Sequence, residues 1–300
     1  MRGRENNPKC FPLMTISYVY PNTADIPQRG GLDIRSRLAK AAGCSFIEIP
    51  ADLIKKESEV ELTGQEFCTF LTPQSISRLY TPTQDFSGAV PYILHTDPAL
   101  NKQARLRWND PMWTDRFVTM ILDISERFGI PPAKIEIHPG DRRNSFADIA
   151  HGVKMIQAGY QDAYGFMPEI LLENRTGQFI SQGSQIEALW NYVMQNNPEL
   201  TDSFGIVLDI QQLFTVTKER FLPSLEKIPD GCQKGFHIHR LHRPPQTGDG
   251  IPWPEAFARI SAIKHDMIIN PEIHHNNQVV NVIGFCEANL KSGVSVSHTQ

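Results

Sequence analysis

Acidic and histidine residues close several short apolar runs of this chain, and their positions are its most informative chemical feature. The runs cover residues 92–95, 135–138, 170–173, 206–209, 236–239 and 267–272, and they end in His95, His138, Glu173, Asp209, His239 and Glu272. Short apolar runs are typical of buried parallel strands, so each final side chain is expected at the C-terminal end of a strand. Because such ends share one mouth of a parallel sheet, the pattern predicts a metal site there.

The predicted ligand set combines imidazole and carboxylate groups. It consists of His95, His138, Glu173, Asp209, His237, His239 and Glu272. The two-residue spacing of His237 and His239 directs both side chains to the same side of their strand. Histidine and carboxylate ligands without thiolates suit zinc, manganese or iron. The set exceeds the needs of one tetrahedral ion, so we expect two ions with a bridging carboxylate, which suits hydrolysis at phosphorus or reactions of a hydroxy-carbonyl sugar.

Structural roles compete with metal binding for each of these residues. A lone strand-end histidine is more often a hydrogen-bonded structural residue, and a lone acid at a barrel mouth is polar because it meets water. The metal prediction therefore depends on the strand ends taken together. Further histidines are expected on the surface or behind the ligands, namely His242, His265, His274 and His275. Glu48 also ends a predicted strand and could pair with an arginine.

Four arginines near the predicted mouth are candidates for substrate binding. Arg142 and Arg143 follow His138, and Arg240 and Arg243 follow the later histidine strand. Guanidinium groups suit phosphate or carboxylate groups, and the alternative is a solvated charged loop. The turn at residues 248–250 is a weak candidate for a phosphate cradle, because no P-loop lysine follows it.

Strands and helices alternate along the chain, which predicts a parallel sheet in an α/β fold. Eight strands are predicted, at residues 13–18, 46–49, 92–95, 134–138, 170–173, 205–209, 235–239 and 268–272. Helices are predicted at residues 32–42, 113–128, 146–160, 185–195, 255–264 and 282–291. Eight such units fit a single (β/α)8 TIM barrel with the metal site at its C-terminal mouth.

Length and composition set the limits of this interpretation. Residues 1–300 are predicted to form one domain, with a helix and an insertion near the mouth at 55–87 and frayed ends at 1–10 and 292–300. The net charge of −4 does not favour nucleic acid as a partner, although a local basic patch could bind one. Five widely spaced cysteines predict a reduced, cytoplasmic protein, and no run is long enough for a membrane span.

Several of these motifs resemble the xylose isomerase-like TIM barrel superfamily, and most closely its endonuclease IV branch. The segment 171–178, Leu-Leu-Glu-Asn-Arg-Thr-Gly-Gln, is similar to the glutamate motif of that branch. Residues 95–101 and 137–140 resemble its two histidine motifs, and residues 207–209, 236–239 and 248–250 resemble its aspartate strand, later histidine strand and glycine turn. The similarity spans roughly residues 90 to 275.

The resemblance implies a metal-dependent hydrolase that acts on a phosphate ester. It implies one zinc or manganese ion at His95, His138 and Glu173, and a second at Glu173, Asp209, Glu272 and either His237 or His239. A third ion of that branch takes a histidine where this chain has Gln212, which is expected to contact the substrate instead.

Sugar isomerases and epimerases of the same superfamily offer the alternative. The resemblance to them implies one metal at Glu173, Asp209, His239 and Glu272, with Glu173 and Glu272 moving a proton between adjacent sugar carbons. Those enzymes usually lack the pair equivalent to His95 and His138, so this pair separates the two functions. A third interpretation is a barrel that binds a small molecule without turnover.

Overall fold

Eight parallel strands form a closed barrel in the computed structural model, which describes residues 15–25, 31–51, 90–96 and 106–295. Each strand pairs with the next along the chain, and the last pairs with the first. The strands are β1 Ile16–Tyr20, β2 Phe46–Pro50, β3 Tyr92–His95, β4 Lys134–Ile137, β5 Glu169–Glu173, β6 Phe204–Asp209, β7 Gln233–His237 and β8 Met267–Asn270. This closed order confirms the predicted (β/α)8 barrel.

Three strands differ from their predicted bounds by more than one residue. The first extends to Tyr20, and residues 13 and 14 of its predicted range lie outside the described residues. Strands β7 and β8 end two residues earlier than predicted, at His237 and Asn270. Pro271 follows β8 and has no N–H to continue the ladder. Predicted ligands on these two segments, His239 and Glu272, therefore lie in the loops just beyond the strands.

Helices pack against the outer face of the barrel. They are α1 Gly31–Ala41, α2 Pro111–Phe128, α3 Phe146–Tyr164, α4 Gly183–Asn196, α5 Ile210–Thr217, α6 Phe221–Glu226, α7 Trp253–Ala262 and α8 Val279–Ser295. The sequence pattern misses α5 and α6. Asp209 ends β6 and also caps α5 by accepting the N–H of Gln212, so no polar linker marks the boundary.

The ends of α2 show how local sequence sets an element. Asp110 accepts hydrogen bonds from two N–H groups of the first turn, and Pro111 occupies the first helical position, where its missing N–H costs nothing. The helix stops at Gly129, whose φ of 71° is readily adopted only by glycine. This helix therefore begins and ends where its capping residues dictate.

Side-chain alternation along the strands creates an apolar layer inside the barrel. This layer consists of Val19, Ile93, Leu171, Val207 and Ile268, and it is separate from the larger core between sheet and helices. The next interior position on four of these strands, two residues further on, is polar. Those positions are His95, Glu173, Asp209 and Asn270, and all four side chains are buried. The apolar layer thus forms the floor of a polar site at the C-terminal mouth.

Some predictions fall on residues outside this description. The predicted insertion at 55–87 and the predicted frayed segment at 1–10 lie outside the described residues, whereas residues 292–295 belong to α8. Three cysteines, Cys44, Cys232 and Cys286, are buried and free. Among the described helices, none has the length and hydropathy that crossing a membrane requires.

Candidate metal centre

Two histidines from neighbouring strands meet one oxygen of Glu173. The Nε2 atoms of His95 and His138 lie 3.0 Å and 2.8 Å from Glu173 Oε2. The two imidazole rings stack with centroids 5.2 Å apart, and all three side chains are buried. We call His95, His138 and Glu173 the histidine pocket. Its donor atoms lie close enough together to bind one ion, as zinc ligands about 2.0 Å from the metal would require.

A second group of donors lies on the other side of Glu173. Ligand atoms of Glu173, Asp209, His237 and Glu272 all lie within 4.8 Å of one another, and we call this group the carboxylate pocket. His237 Nδ1 is 3.4 Å from Glu272 Oε2 and 3.9 Å from Glu173 Oε1. Within the described structure, His237 Nδ1 is buried without a hydrogen-bond partner. A buried nitrogen that has no partner and faces two carboxylates fits a cation between them.

Glu173 belongs to both pockets through different oxygens. Its Oε2 atom faces the two histidines of the histidine pocket, whereas its Oε1 atom faces His237 and the guanidinium of Arg175. The following residue, Asn174, fixes the adjacent strand end by donating to Asp209 O and accepting the Asp209 N–H. The motif at the end of β5 therefore supplies a shared carboxylate and also holds Asp209.

The remaining ring nitrogens of three histidines also have polar partners. His95 Nδ1 lies 2.6 Å from Glu48 Oε1, and His237 Nε2 lies 3.1 Å from Glu136 Oε2. His138 Nδ1 pairs with the hydroxyl of Thr96 at 3.2 Å. A metal-binding histidine typically donates its second N–H to such a partner, which leaves the other nitrogen free for the ion. The donor set therefore fits divalent metal.

His239 has a different environment from His237. Its Nδ1 accepts the backbone N–H of His242 at 3.1 Å, which opposes a proton on that nitrogen. Its Nε2 lies 3.2 Å from Asp209 Oδ2 and 3.1 Å from Glu272 Oε2. Burial lowers the pKa of His239, but these two carboxylates raise it to about 10. The ring is thus held as a proton donor between two acids of the carboxylate pocket.

Two glutamates of the centre stay ionised despite their burial. Burial by itself raises the pKa of Glu173 and Glu272, because a low dielectric disfavours charge. The neighbouring histidines outweigh burial and hold both pKa values well below the usual range. Ionised carboxylates are the form that binds a cation.

The histidines respond to the same charges in the opposite direction. Burial lowers the pKa of His95 and His237, but the surrounding glutamates raise both pKa values well above the usual one. His138 differs, because burial is the largest effect there and its pKa is lowered. A metal ion would therefore have to displace protons from His95 and His237, but not from His138.

Arg175 is a cation of the site that sequence reasoning missed. Its Nη1 lies 3.5 Å from Glu173 Oε1, and its side chain is about a quarter exposed. Burial by itself lowers the pKa of Arg175, but the charges of Glu173, Glu272 and Asp209 outweigh burial, so the pKa is raised overall. The sequence signal for Arg175 is its position two residues after Glu173, in the loop that follows β5. Arg175 thus places a permanent positive charge at the edge of the carboxylate pocket.

The arginines that the sequence predicted for the substrate lie further out. Arg142 and Arg143 are exposed, and Arg143 pairs with Asp141. Arg240 donates to the backbone oxygen of Asp249, and Arg243 is exposed. Arg142 and Arg143 lie on the loop after β4, and Arg240 and Arg243 lie on the loop after β7. Arg143 and Arg240 each have a partner within their own loop.

Other predicted residues take mainly supporting positions. Gln212 accepts the N–H of Thr176 and so ties α5 to the loop after Glu173. The asparagine Asn270 and the backbone of Asn22 donate to Glu48, whose other oxygen meets His95. The histidines predicted on the surface or behind the ligands have varied surroundings. The ring of His242 stacks between those of His239 and His274. His265 forms a hydrogen bond with the backbone oxygen of Gln233, and His275 is exposed.

Glu136 is a further buried acid that the sequence reasoning did not select. It lies within β4, inside an apolar run, so the sequence pattern predicts only a strand position for it. Its position two residues before His138 is the signal that both side chains enter the barrel. It is completely buried and faces His237.

Comparisons with known proteins show that other solved structures share this barrel fold. No family model and no curated protein matches the chain. A structure of L-ribulose 3-epimerase aligns over 96% of this chain and 99% of its own, with a TM-score of 0.56 and 11% identity. D-allulose 3-epimerase from Methylomonas sp. aligns over 93% of this chain and 98% of its own, with a TM-score of 0.58 and 15% identity. An AP endonuclease, family 2, from Brucella melitensis aligns over 92% of this chain and 99% of its own, with a TM-score of 0.57 and 12% identity. The chain therefore shares the closed (β/α)8 barrel fold of these three proteins.

Proposed function

We propose that this protein is a two-metal hydrolase that acts on a phosphate ester, of the endonuclease IV-like kind. One observation carries the proposal: the two oxygens of Glu173 face two different groups of metal-binding side chains. A carboxylate in that position is suited to bridge two ions. When bound, two divalent ions would supply water activation and stabilisation of the charge that develops on the phosphoryl group.

The proposed ligands follow from the free nitrogen of each histidine. His95 and His138 would bind the first ion through Nε2, together with Glu173. The second would take Glu173, Asp209, Glu272 and Nδ1 of His237, because Glu136 occupies the other nitrogen of that ring. His239 would remain a proton donor to Asp209 and Glu272. Zinc or manganese suits this mixture of nitrogen and oxygen ligands.

Arg175 supports an anionic substrate. Its charge lies beside the acids of the carboxylate pocket, where a guanidinium can bind the phosphate oxygens of a substrate. A small phosphate ester is favoured over nucleic acid, because the chain carries a net charge of −4 and Arg143 is already paired with Asp141. The four loop arginines would contact only a larger substrate.

Sugar isomerisation or epimerisation is the second candidate. Two of the similar structures are sugar epimerases. Glu173 and Glu272 both belong to the carboxylate pocket, and a proton shuttle between adjacent sugar carbons requires two such acids. That chemistry needs one metal site and leaves the histidine pocket without a role. The presence of both His95 and His138 on Glu173 is therefore the reason to prefer the hydrolase.

A paired substrate screen tests the proposal. The protein, purified without chelator and loaded with zinc or manganese, would be assayed against phosphomonoesters, phosphodiesters and abasic DNA, and in parallel against ketoses. We expect hydrolysis of a phosphate ester that a chelator abolishes and added metal restores. Ketose conversion without any phosphate-ester hydrolysis would contradict the proposal.

His138→Ala separates the two functions within one protein. His138 is preferable to His95 for this test, because its second nitrogen contacts a neutral hydroxyl, that of Thr96, whereas His95 contacts Glu48 and lies near Glu136. Loss of hydrolysis by about 100-fold or more is expected if the histidine pocket is catalytic. Retention of sugar proton exchange by this variant, with no hydrolysis in the parent, would establish the alternative.

A further inference from the structure

A completely buried carboxylate lies beneath both pockets. Glu136 Oε2 is 3.1 Å from His237 Nε2 and 3.6 Å from His95 Nδ1. Its second oxygen, Oε1, has no hydrogen-bond partner among the described residues. A buried acid with one unsatisfied oxygen is destabilising by itself.

The fold alone does not explain an acid at this position. Interior positions on neighbouring strands carry apolar side chains, Ile93 on β3 and Leu171 on β5. Glu136 pairs in register with Leu171 of that layer on one side and with His95 of the histidine pocket on the other, so it lies where the apolar layer meets the polar site. Replacement of buried polar groups by well-packed apolar ones is often neutral or stabilising. The carboxylate therefore has a role in the site and not in the packing.

We propose that Glu136 is a positioning residue that selects which nitrogen of His237 binds metal. A carboxylate that accepts the Nε2–H of His237 fixes the ring and leaves Nδ1 facing Glu173 and Glu272. Without Glu136, the acids of the carboxylate pocket would attract the proton to Nδ1 and block that ligand. The inference rests on the proposed metal centre and is independent of the reaction that the centre performs.

The geometry makes this role asymmetric between the two pockets. His95 Nδ1 is 2.6 Å from Glu48 and 3.6 Å from Glu136, so Glu48 is its main partner. His237 Nε2 has Glu136 as its hydrogen-bond partner. Loss of Glu136 should therefore weaken the ion of the carboxylate pocket, and loss of Glu48 should weaken the ion of the histidine pocket.

Metal affinity in a background with one pocket tests this inference. In the full-length His138→Ala protein, only the carboxylate pocket keeps its complete ligand set. Zinc binding would be titrated against a competing chelator, and cobalt substitution would report the ligand field through its visible absorption. Glu136→Met should lower zinc affinity by about 10- to 100-fold and change the cobalt spectrum, and Glu136→Gln, which keeps an acceptor oxygen, should recover much of the affinity.

Glu48→Gln in the same background is the matched control. It removes the charge of a second buried glutamate that also contacts a histidine, but it should leave zinc affinity within about threefold of the background. Unchanged affinity in Glu136→Met, or an equal loss in Glu48→Gln, would overturn the proposal. If Glu136→Met does not fold, Glu136→Gln still decides, because an amide oxygen is a weaker acceptor than a carboxylate. A partial loss of zinc affinity with an altered cobalt spectrum supports the proposal, and an affinity and spectrum both identical to the background overturn it. Because the readout is binding, absence of hydrolysis in the parent would count only against the proposed reaction.

Discussion

The histidine pocket and the carboxylate pocket share Glu173 but differ in their other ligands. The histidine pocket adds two imidazole nitrogens to one carboxylate oxygen, whereas the carboxylate pocket adds two further acids and one imidazole. Nitrogen-rich sites suit zinc, and oxygen-rich sites accept manganese more readily. Two ions bound in these pockets would therefore have surroundings of unequal charge and unequal metal preference.

The two pockets are also supported differently. Glu48 and Thr96 hold the histidine pocket through the second nitrogens of its rings. The carboxylate pocket is held by Glu136 below, by the backbone clamp of Asn174 on Asp209, and by the charge of Arg175 at its edge. Because the main supports differ, a support of one pocket can be changed without removing a ligand of the other.

Removal of the shared ligand should have the largest effect. Glu173→Ala takes one oxygen from each pocket, so metal content should fall from two ions toward none and hydrolysis should fall by about 1,000-fold or more. Elemental analysis and an assay with a phosphodiester would measure both. Glu169→Gln, on the same strand but in a partly exposed pair with Lys134, is the control and should keep both ions. Full metal content in Glu173→Ala would show that the shared-ligand assignment is wrong.

A ligand exchange should convert one pocket toward the other. His138→Asp replaces an imidazole by a carboxylate in the histidine pocket and should shift its preference from zinc toward manganese by about 10- to 100-fold. Competition binding with both metals would measure the shift. An unchanged zinc preference would mean that His138 is not a ligand, because the substitution lies at the proposed metal-binding nitrogen itself.

Arg175→Ala should weaken substrate binding. A lost charge-assisted hydrogen bond of about 1.5–3 kcal/mol corresponds to a KM for the anionic ester that is roughly 10- to 150-fold higher. Arg175→Lys keeps the charge without the planar fork and should fall between the parent and the alanine variant. Steady-state kinetics would separate KM from kcat. Equal KM values for all three proteins would exclude Arg175 from substrate binding.

Metal binding should release protons and strengthen as the pH rises. The pKa values of His95 and His237 are raised in the metal-free protein, so both rings carry protons at neutral pH that an ion must displace. Each released proton makes the apparent affinity about tenfold higher per pH unit below the raised pKa. Calorimetry in two buffers of different ionisation enthalpy would count the protons. A pH-independent affinity between pH 6 and pH 8 would contradict the ligand assignment.

Much of the barrel could be predicted from the sequence, because buried parallel strands are short continuous apolar runs. Strands β2 and β3 match their predicted bounds to within one residue. Helix α5 could not be predicted in the same way, since Asp209 ends a strand and caps the helix at once. A boundary that consists of one polar residue, with no polar linker, leaves little signal in the hydrophobic pattern.

The candidate site shows the same limit in its side chains. Strand-end residues such as His95 and Glu173 were predictable, because their polarity interrupts an apolar run at its end. Glu136 and Arg175 were missed because one lies within a run and the other within a loop. Their spacing from His138 and Glu173 is a weak signal in the sequence, and three-dimensional proximity shows their contacts. Sequence pattern also could not distinguish His237 from His239, since the partners of each ring nitrogen come from other strands and loops.

Anomalous scattering from crystals of the metal-loaded protein is the most direct test of the two-ion centre. Data collected at the absorption edge of the bound metal should show two peaks, one on each side of the Glu173 carboxylate. One peak should lie against the Nε2 atoms of His95 and His138, and the other against Asp209, His237 Nδ1 and Glu272. A single peak in the carboxylate pocket, with His95 and His138 bound only to protein atoms, would contradict the account.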